Sequence, residues 1–464
     1  MRIILLYIFI LVFGFTANAQ VYFTSGIKIG EVSDTSAILL TRLSAQEKAN
    51  PVTHERRNPP MRHPIDFDND MPIEKMDGAV KGQKGMVRFI LKSANEEHRS
   101  KWIHTVKDSD FIAKNAFTNL KSNTLYKVEV QGKKGFFSKV NTTLGEFSTA
   151  PANNDDSDFN FTVSTCQYFW DFDDPIRGFK AYDHMRQLKP AFHCQTGDYV
   201  YYDKPGPLAY NIDQARHKWS AINAWPSLEE FYRYTPLYIQ KDDHDVLDDD
   251  ANPYSKPYGK LTFEEGIEVW YEQNPIERNN PYRTFRWGKS LQLWFVEGRE
   301  SRSDNKDPDS ESKTILGKEQ KDWLVKTMNE SDATIKLLIS PTPIVGPDRA
   351  KGKNDNHSNK AFAIEGDWLR ELLAEQQNVF VICGDRHWQY VSQDLKTGLM
   401  EFSSGATSDE HAQGWNPEDV MPEHQFLRVK GGFLGVSIKG CSEIVFDHYD
   451  VDGNIVNSVT KSLR

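Results

Sequence analysis

The sequence predicts an α/β layered body preceded by a small all-β domain, and three observations lead there. Residues 21–150 carry turn-separated strand patterns with no helical stretch, residues 159–384 alternate apolar strand runs with helix-like segments, and several of those strands end in short polar clusters. Strands without helices argue for a sandwich, whereas alternation argues for layered α/β packing.

At the front, Met1-Arg2-Ile3 opens a near-continuous apolar run to Phe15, followed by Thr16-Ala17-Asn18-Ala19-Gln20. A basic start, an apolar core and an Ala-x-Ala end predict a signal peptide over residues 1–19, cleaved after Ala19. The run is shorter than the roughly 20 residues that a membrane span needs, and no basic stop follows. No membrane anchor is therefore expected, and the mature chain is expected to be periplasmic or secreted. The leader carries only Arg2, so its removal takes the formal charge from −10 to −11. That acidity argues against a nucleic-acid-binding surface, while a locally positive site could still take a small or oligomeric anionic ester. Four scattered cysteines, Cys166, Cys194, Cys383 and Cys441, are too few for a disulfide scaffold.

The all-β domain is expected over residues 20–150. Thr35 to Thr41 is rich in strand formers, Leu120 to Val130 reads as a turn entering a strand, and Gly135–Ser138 with Gly145–Thr149 add further turn and strand signals. Between them Asn50 to Lys84 is polar and Pro-rich, with His54, Arg56, Arg57, Arg62 and His63. Its length marks it as either disordered or functional, and the mouth of a site is one place for it. Residues 151–158 form a linker by composition.

The body is expected over residues 159–464. Phe159 to Ser164 is a strand, Phe179 to Gln187 a helix, and an apolar strand then reaches Gly197-Asp198. Leu228 to Tyr234 reads as a helix and Leu237 to Gln240 as a strand before an acidic loop. Strands at 291–296, 334–340 and 379–384 alternate with helices at 317–330 and 366–375, and 432–452 returns to strands that close a sheet edge.

Five predicted strands run into polar clusters: Cys166-Gln167, Gly197-Asp198-Tyr199-Val200-Tyr201-Tyr202, Asp242-Asp243-His244-Asp245, Glu297-Gly298-Arg299 and Gly384-Asp385-Arg386-His387-Trp388. The crevice outside strand ends is the usual site of layered α/β proteins, so the repetition carries more weight than any one cluster. Asp198 either bridges cations or caps a turn, and Tyr201 either turns its phenol to the same place or packs. Six acids within Asp242–Asp250 indicate a bound cation, a structural calcium loop or a solvated charged loop. In extended backbone Asp385 and His387 face one side, with Arg386 pointing away. Arg299 opens a charge-rich surface loop and itself points inward.

Taken in order, these clusters, with Ser164-Thr165 before the first of them and Gly317-Lys318-Glu319-Gln320 ahead of Trp323-Leu324, resemble the PhoD-like alkaline phosphatase and phosphodiesterase family of the calcineurin-like metallophosphoesterase superfamily. The resemblance implies a metallophosphoesterase-like β-sandwich flanked by helices, behind a fibronectin-III-like or immunoglobulin-like front domain ending at Phe147-Ser148-Thr149-Ala150-Pro151. It implies Fe3+ and Ca2+, with Zn2+ or Mn2+ as alternatives. The implied ligands are Cys166, Asp198, Tyr201, Asp243, Asp249, Asp385 and His387. His244 would assist the substrate or leaving group, and Arg299 would neutralise charge on phosphate oxygens. The implied reaction is hydrolysis of phosphate esters by a metal-bound hydroxide. A sulfatase or other ester hydrolase on the same centre is the rival enzyme reading, and a calcium-containing extracellular carbohydrate-binding protein is the rival outside enzymes. Glu297-Gly298 departs from the family's usual Asp-containing pattern before the Arg, and Asp249 replaces an amide.

Overall fold

The computed structural model describes residues 20–278, 281–348 and 355–463, so the expected leader at 1–19 lies outside the described residues. Two sheets stack face to face. The first has nine strands in the order Ile455–Ser462, Glu443–Tyr449, Phe433–Lys439, Phe159–Ser164, Phe192–Thr196, Leu237–Gln240, Ile27–Gly30, Ala37–Arg42 and Ile112–Phe117. The second has seven, in the order Arg283–Trp287, Leu291–Phe295, Ile335–Ser340, Val379–Cys383, Met400–Ser404, Gln389–Gln393 and His424–Arg428.

Strand alternation decides which side chains meet between the sheets. Phe161, Val163, Phe192 and Cys194 of the first sheet face Leu337, Ile339, Phe380 and Ile382 of the second in one buried core. The opposite faces need cover, which helices supply. His193 turns outward toward Tyr182 and Phe231 on the helices Lys180–Gln187 and Pro226–Tyr232. Leu338 and Val381 pack against Leu324 and Leu369 on the helices Lys318–Glu330 and Ala363–Ala374. The body is therefore an α/β layered sandwich with helices outside both sheets.

Parallel pairing aligns the strand ends that matter. Gln195 sits opposite Ser164 and Thr196 opposite Gln240 in one sheet, while Phe295 is opposite Ile339 and Ser340 opposite Cys383 in the other. All these carboxyl ends open on one edge. Gly384 marks how closely the sheets converge there, since a Cβ on it would lie 2.3 Å from Thr196 O.

The front strands pack on one another and also join the body. They enclose their own core, including Ile29, Leu39, Phe89 and Val128, against a second small sheet built on Gly85–Lys92, Leu125–Lys133 and Asn141–Ser148. Yet Ile27–Gly30 also pairs in parallel with Leu237–Gln240, with Gly30 opposite Leu237, so three front strands extend the nine-stranded sheet. A pairing across some two hundred residues leaves no trace in local periodicity. The helices Ile212–Ile222 and Phe263–Gln273 were also not expected. The insertion at 50–84 is anchored to the body: Arg56 donates to the carbonyls of Trp170 and Phe172, both at 2.8 Å. Among the described residues no helix is long and apolar enough to cross a membrane.

Candidate metal centre

Three of the strand-end residues adopt left-handed backbone: Cys166 (φ 48°), Asp198 (φ 57°) and Asp385 (φ 65°). Such geometry costs on the order of 1–2 kcal/mol for a residue with a Cβ and persists only where the surroundings impose it. Around Cys166 they do. Its N–H donates to Gly197 O at 3.2 Å, its carbonyl accepts from Thr407 N–H at 3.2 Å, and Gln167 N–H donates to Asp198 O at 2.9 Å. Asp245 binds the next turn, accepting from Asp198 N–H at 2.7 Å, Asp242 N–H at 3.0 Å and Val200 N–H at 2.9 Å. Burial pushes the Asp245 carboxyl up to about 7, against the pull of those N–H groups.

The expectation of extended backbone through Asp385 and His387 is corrected. Arg386 N–H donates back to Gly384 O at 2.8 Å around the left-handed Asp385, a tight γ-type turn. The two side chains consequently serve different ends of the site. The Arg386 guanidinium holds Asp385 at 2.7 Å as well as Asp348 at 2.5 Å.

Asp198 is the common member of the cluster. Its Oδ2 lies 3.5 Å from Cys166 Sγ and 3.0 Å from the Tyr201 hydroxyl, and His387 Nε2 is 3.4 Å from that hydroxyl. Three sets of ligand atoms each fall within 4.8 Å of one another: Cys166, Asp198 and His387; Asp198, Asp243 and His244; and Asp198, Asp242 and Asp385. The Asp198 Oδ1 atom is buried and takes no hydrogen bond. Burial pushes the Asp198 carboxyl well above its ordinary range; His244 opposes this, and Asp243, Asp245 and Asp385 reinforce it. The Cys166 thiol and Tyr201 phenol are raised too, by burial first and Asp198 second. A buried cation reverses all three shifts at once, and a thiol, a phenol, carboxylates and imidazoles are a donor set suited to holding one.

The sequence profile of the PhoD-like phosphatase family matches residues 161–427. The chain belongs to that family. Alkaline phosphatase D of Bacillus subtilis (strain 168) is 24% identical over 301 residues, which cover 54% of this chain and 49% of that protein. The chain thus matches about half the length of this relative. A solved structure of PhoD superposes with a TM-score of 0.71 at 17% identity, covering 97% of this chain and 90% of that one. The purple acid phosphatase PPD1 from yellow lupin seeds superposes at 0.63 and 10% identity, over 94% and 74% of the two chains. Both share the fold.

Within this PhoD-like site the remaining expected residues are distributed unevenly. Asp243 is buried and accepts Asp250 N–H at 2.6 Å. Asp249 stands at the rim, its side chain half exposed, with Oδ1 3.8 Å from His244 Nε2 and outside every three-residue ligand set. His244 lies against Tyr201 with ring centres 4.4 Å apart and planes tilted by 32°, and meets Asp203 through Nδ1 at 2.8 Å. Burial disfavours its charge, but Asp203, Asp243 and Asp198 outweigh that and hold the imidazole well above its usual pKa.

Arg299, expected to face substrate, is 1% exposed and directs its guanidinium to Asp242 at 2.5 Å and Asp243 at 3.4 Å. So many buried acids need a resident counter-charge, and Arg299 supplies it. The unusual Glu297 folds back on its own turn, accepting from Arg299 N–H and Glu300 N–H at 2.8 Å each and lying 3.3 Å from Lys241 Nζ. Trp219 and Tyr232 are core residues whose polar atoms bond to Tyr202 and Tyr182.

Sequence reasoning did not single out Asp171, Asp203, Asp242 or His411 as site residues. Asp242 and Asp203 had a signal, the first opening one of the polar clusters and the second directly following another. His411 had none, since it ends a single 3-10 turn, Asp409–His411, outside every cluster, yet its Nε2 is 2.9 Å from the Tyr201 hydroxyl.

Proposed function

We propose that this chain hydrolyses phosphate esters with the help of bound metal ions. The observation carrying this reading is the Asp198 carboxylate, shared by three sets of ligand atoms and keeping a buried oxygen without a hydrogen bond. Family membership and the name of the Bacillus relative point the same way.

In this reading Cys166, Tyr201, His387 and Asp198 would hold one cation, and Asp198 with Asp243, Asp385 and Asp242 would hold a second, with Asp249 as an outer carboxylate. Fe3+ suits the first set, because a thiolate and a phenolate are both anionic, and Ca2+ suits the carboxylates of the second. Bound cations would polarise the ester and lower the pKa of water, supplying the nucleophile and offsetting oxygen charge. Asp203 orients His244 so that its outward nitrogen can give a proton to the departing alkoxide. Arg299 keeps the Asp242–Asp243 pair in place. Residues 1–19 are taken as an export signal, 20–150 as a fibronectin-III-like or immunoglobulin-like unit, 151–158 as its linker and 159–464 as the catalytic unit.

The test is turnover of nitrophenyl phosphate, bis-nitrophenyl phosphate and nitrophenyl sulfate by the metal-loaded chain and its Asp198→Ala variant. Phosphorus-ester turnover lost in the folded variant supports the reading. Turnover confined to the sulfate, or none with iron and calcium supplied, would overturn it.

A further inference from the structure

We propose that Asp171 and His411 form a positioning pair for the Tyr201 hydroxyl, and that Met61–His63 of the front insertion latch this pair, completing the metal centre from the far end of the chain. The inference rests on the reading above, in which Tyr201 faces a bound cation.

His411 is fully buried, with Nδ1 2.6 Å from Asp171 Oδ2 and Nε2 2.9 Å from the Tyr201 hydroxyl. With one ring nitrogen turned to a buried carboxylate, the other is the one presented to Tyr201, so the ring can neither flip nor tilt freely. Asp171 is itself fixed at three points. Its Oδ1 accepts Arg62 N–H at 2.5 Å, its Oδ2 meets His411, and its carbonyl accepts from Ser408 Oγ at 2.7 Å.

The insertion grips the same loop a second time. The Arg62 guanidinium donates to both carboxylate oxygens of Glu410, at 2.8 and 2.9 Å, and Met61 N–H donates to the Glu410 carbonyl at 2.9 Å. Glu410 immediately precedes His411. Fork-to-carboxylate geometry gives this contact direction as well as strength. A third contact comes from His63, whose Nδ1 is 3.2 Å from the Tyr168 hydroxyl, and the Tyr168 ring stands edge-on to Tyr201 at 5.8 Å. One tripeptide thus touches Asp171, the residue before His411, and the aromatic neighbour of Tyr201. A loop that only covered the surface would have no need to engage all three.

The experiment uses the full mature chain reconstituted with ferric iron and calcium. Two quantities are read: metal retained per chain on titration with a chelator, and the visible tyrosinate absorption. Tyr201→Phe is the reference and should lose both. Asp171→Asn, nearly isosteric, and His411→Asn should each shift the absorption and weaken metal retention about 10–100-fold, as removal of outer partners of metal ligands does. Arg62→Ala should act in the same direction by a smaller factor, with Arg62→Lys partly restoring it. If Asp171→Asn and His411→Asn match the native chain while Tyr201→Phe does not, the positioning pair is overturned and the reading of Tyr201 stands. If Arg62→Ala alone matches the native chain, the latch is overturned. If Tyr201→Phe keeps both signals, the reading beneath the inference fails.

Discussion

The backbone N–H of Asp198 donates to the carboxylate of Asp245 at 2.7 Å, and the same oxygen accepts from Asp242 N–H at 3.0 Å. One buried side chain thereby joins the ends of two neighbouring parallel strands, each delivering an acidic residue to the cluster. Asp245→Asn keeps the shape but replaces one acceptor oxygen by a donor that faces N–H groups. We expect a stability loss of about 2 kcal/mol, and a larger loss of metal retention than that destabilisation alone explains. Urea unfolding and metal titration of the same variant check this; native metal retention in a destabilised protein would contradict it.

His244 and Asp203 should matter most when the leaving group is poor. Replacing His244 by Ala should lower kcat by roughly 10²–10⁴-fold for an alkyl phosphate, the range of general-acid assistance. The loss should be far smaller for nitrophenyl phosphate, whose leaving group needs little protonation. Equal losses for both substrates would remove the proton-donor role.

Arg299 separates a counter-ion from a substrate-gripping residue. Because Asp242 is fully buried against it, Arg299→Ala strands a buried carboxylate and should cost about 3–5 kcal/mol of stability. A residue that only gripped substrate would instead raise KM and leave the unfolding midpoint unchanged, so paired denaturation and kinetic measurements decide.

Acid sensitivity follows from three buried imidazoles. Burial depresses His193 and His217 to about 3 and His448 to about 4. The unfolded chain takes up these protons near pH 6.5 and the folded chain only well below it. The unfolded state therefore binds more protons between those values, and the stability these groups contribute is present above pH 6.5 and lost as pH falls toward 3–4. Each contributes a slope of about 1.4 kcal/mol per pH unit. His193→Gln, which can still meet the hydroxyls of Thr162 and Ser164, should flatten the pH dependence of unfolding by about one proton. An unchanged slope would count against it.

The positions of the chemistry-bearing clusters are legible in the amino-acid sequence, because the signal is local. An apolar strand run followed by Gly-Asp, as at Gly197-Asp198 and Gly384-Asp385, is readable from adjacent residues, and parallel strands bring such ends to one edge. The partners of those side chains, and the turns that aim them, come from contacts between distant segments. Arg299 turns its guanidinium to Asp242 and Asp243, and Asp385 sits in a tight turn rather than an extended run. The front strands share a sheet with the body through Gly30 and Leu237. Asp171 meets His411 across 240 residues and Arg62 meets Glu410 across 348. Contacts over such separations depend on loop closure and packing, which no periodicity of 2 or 3.6 records.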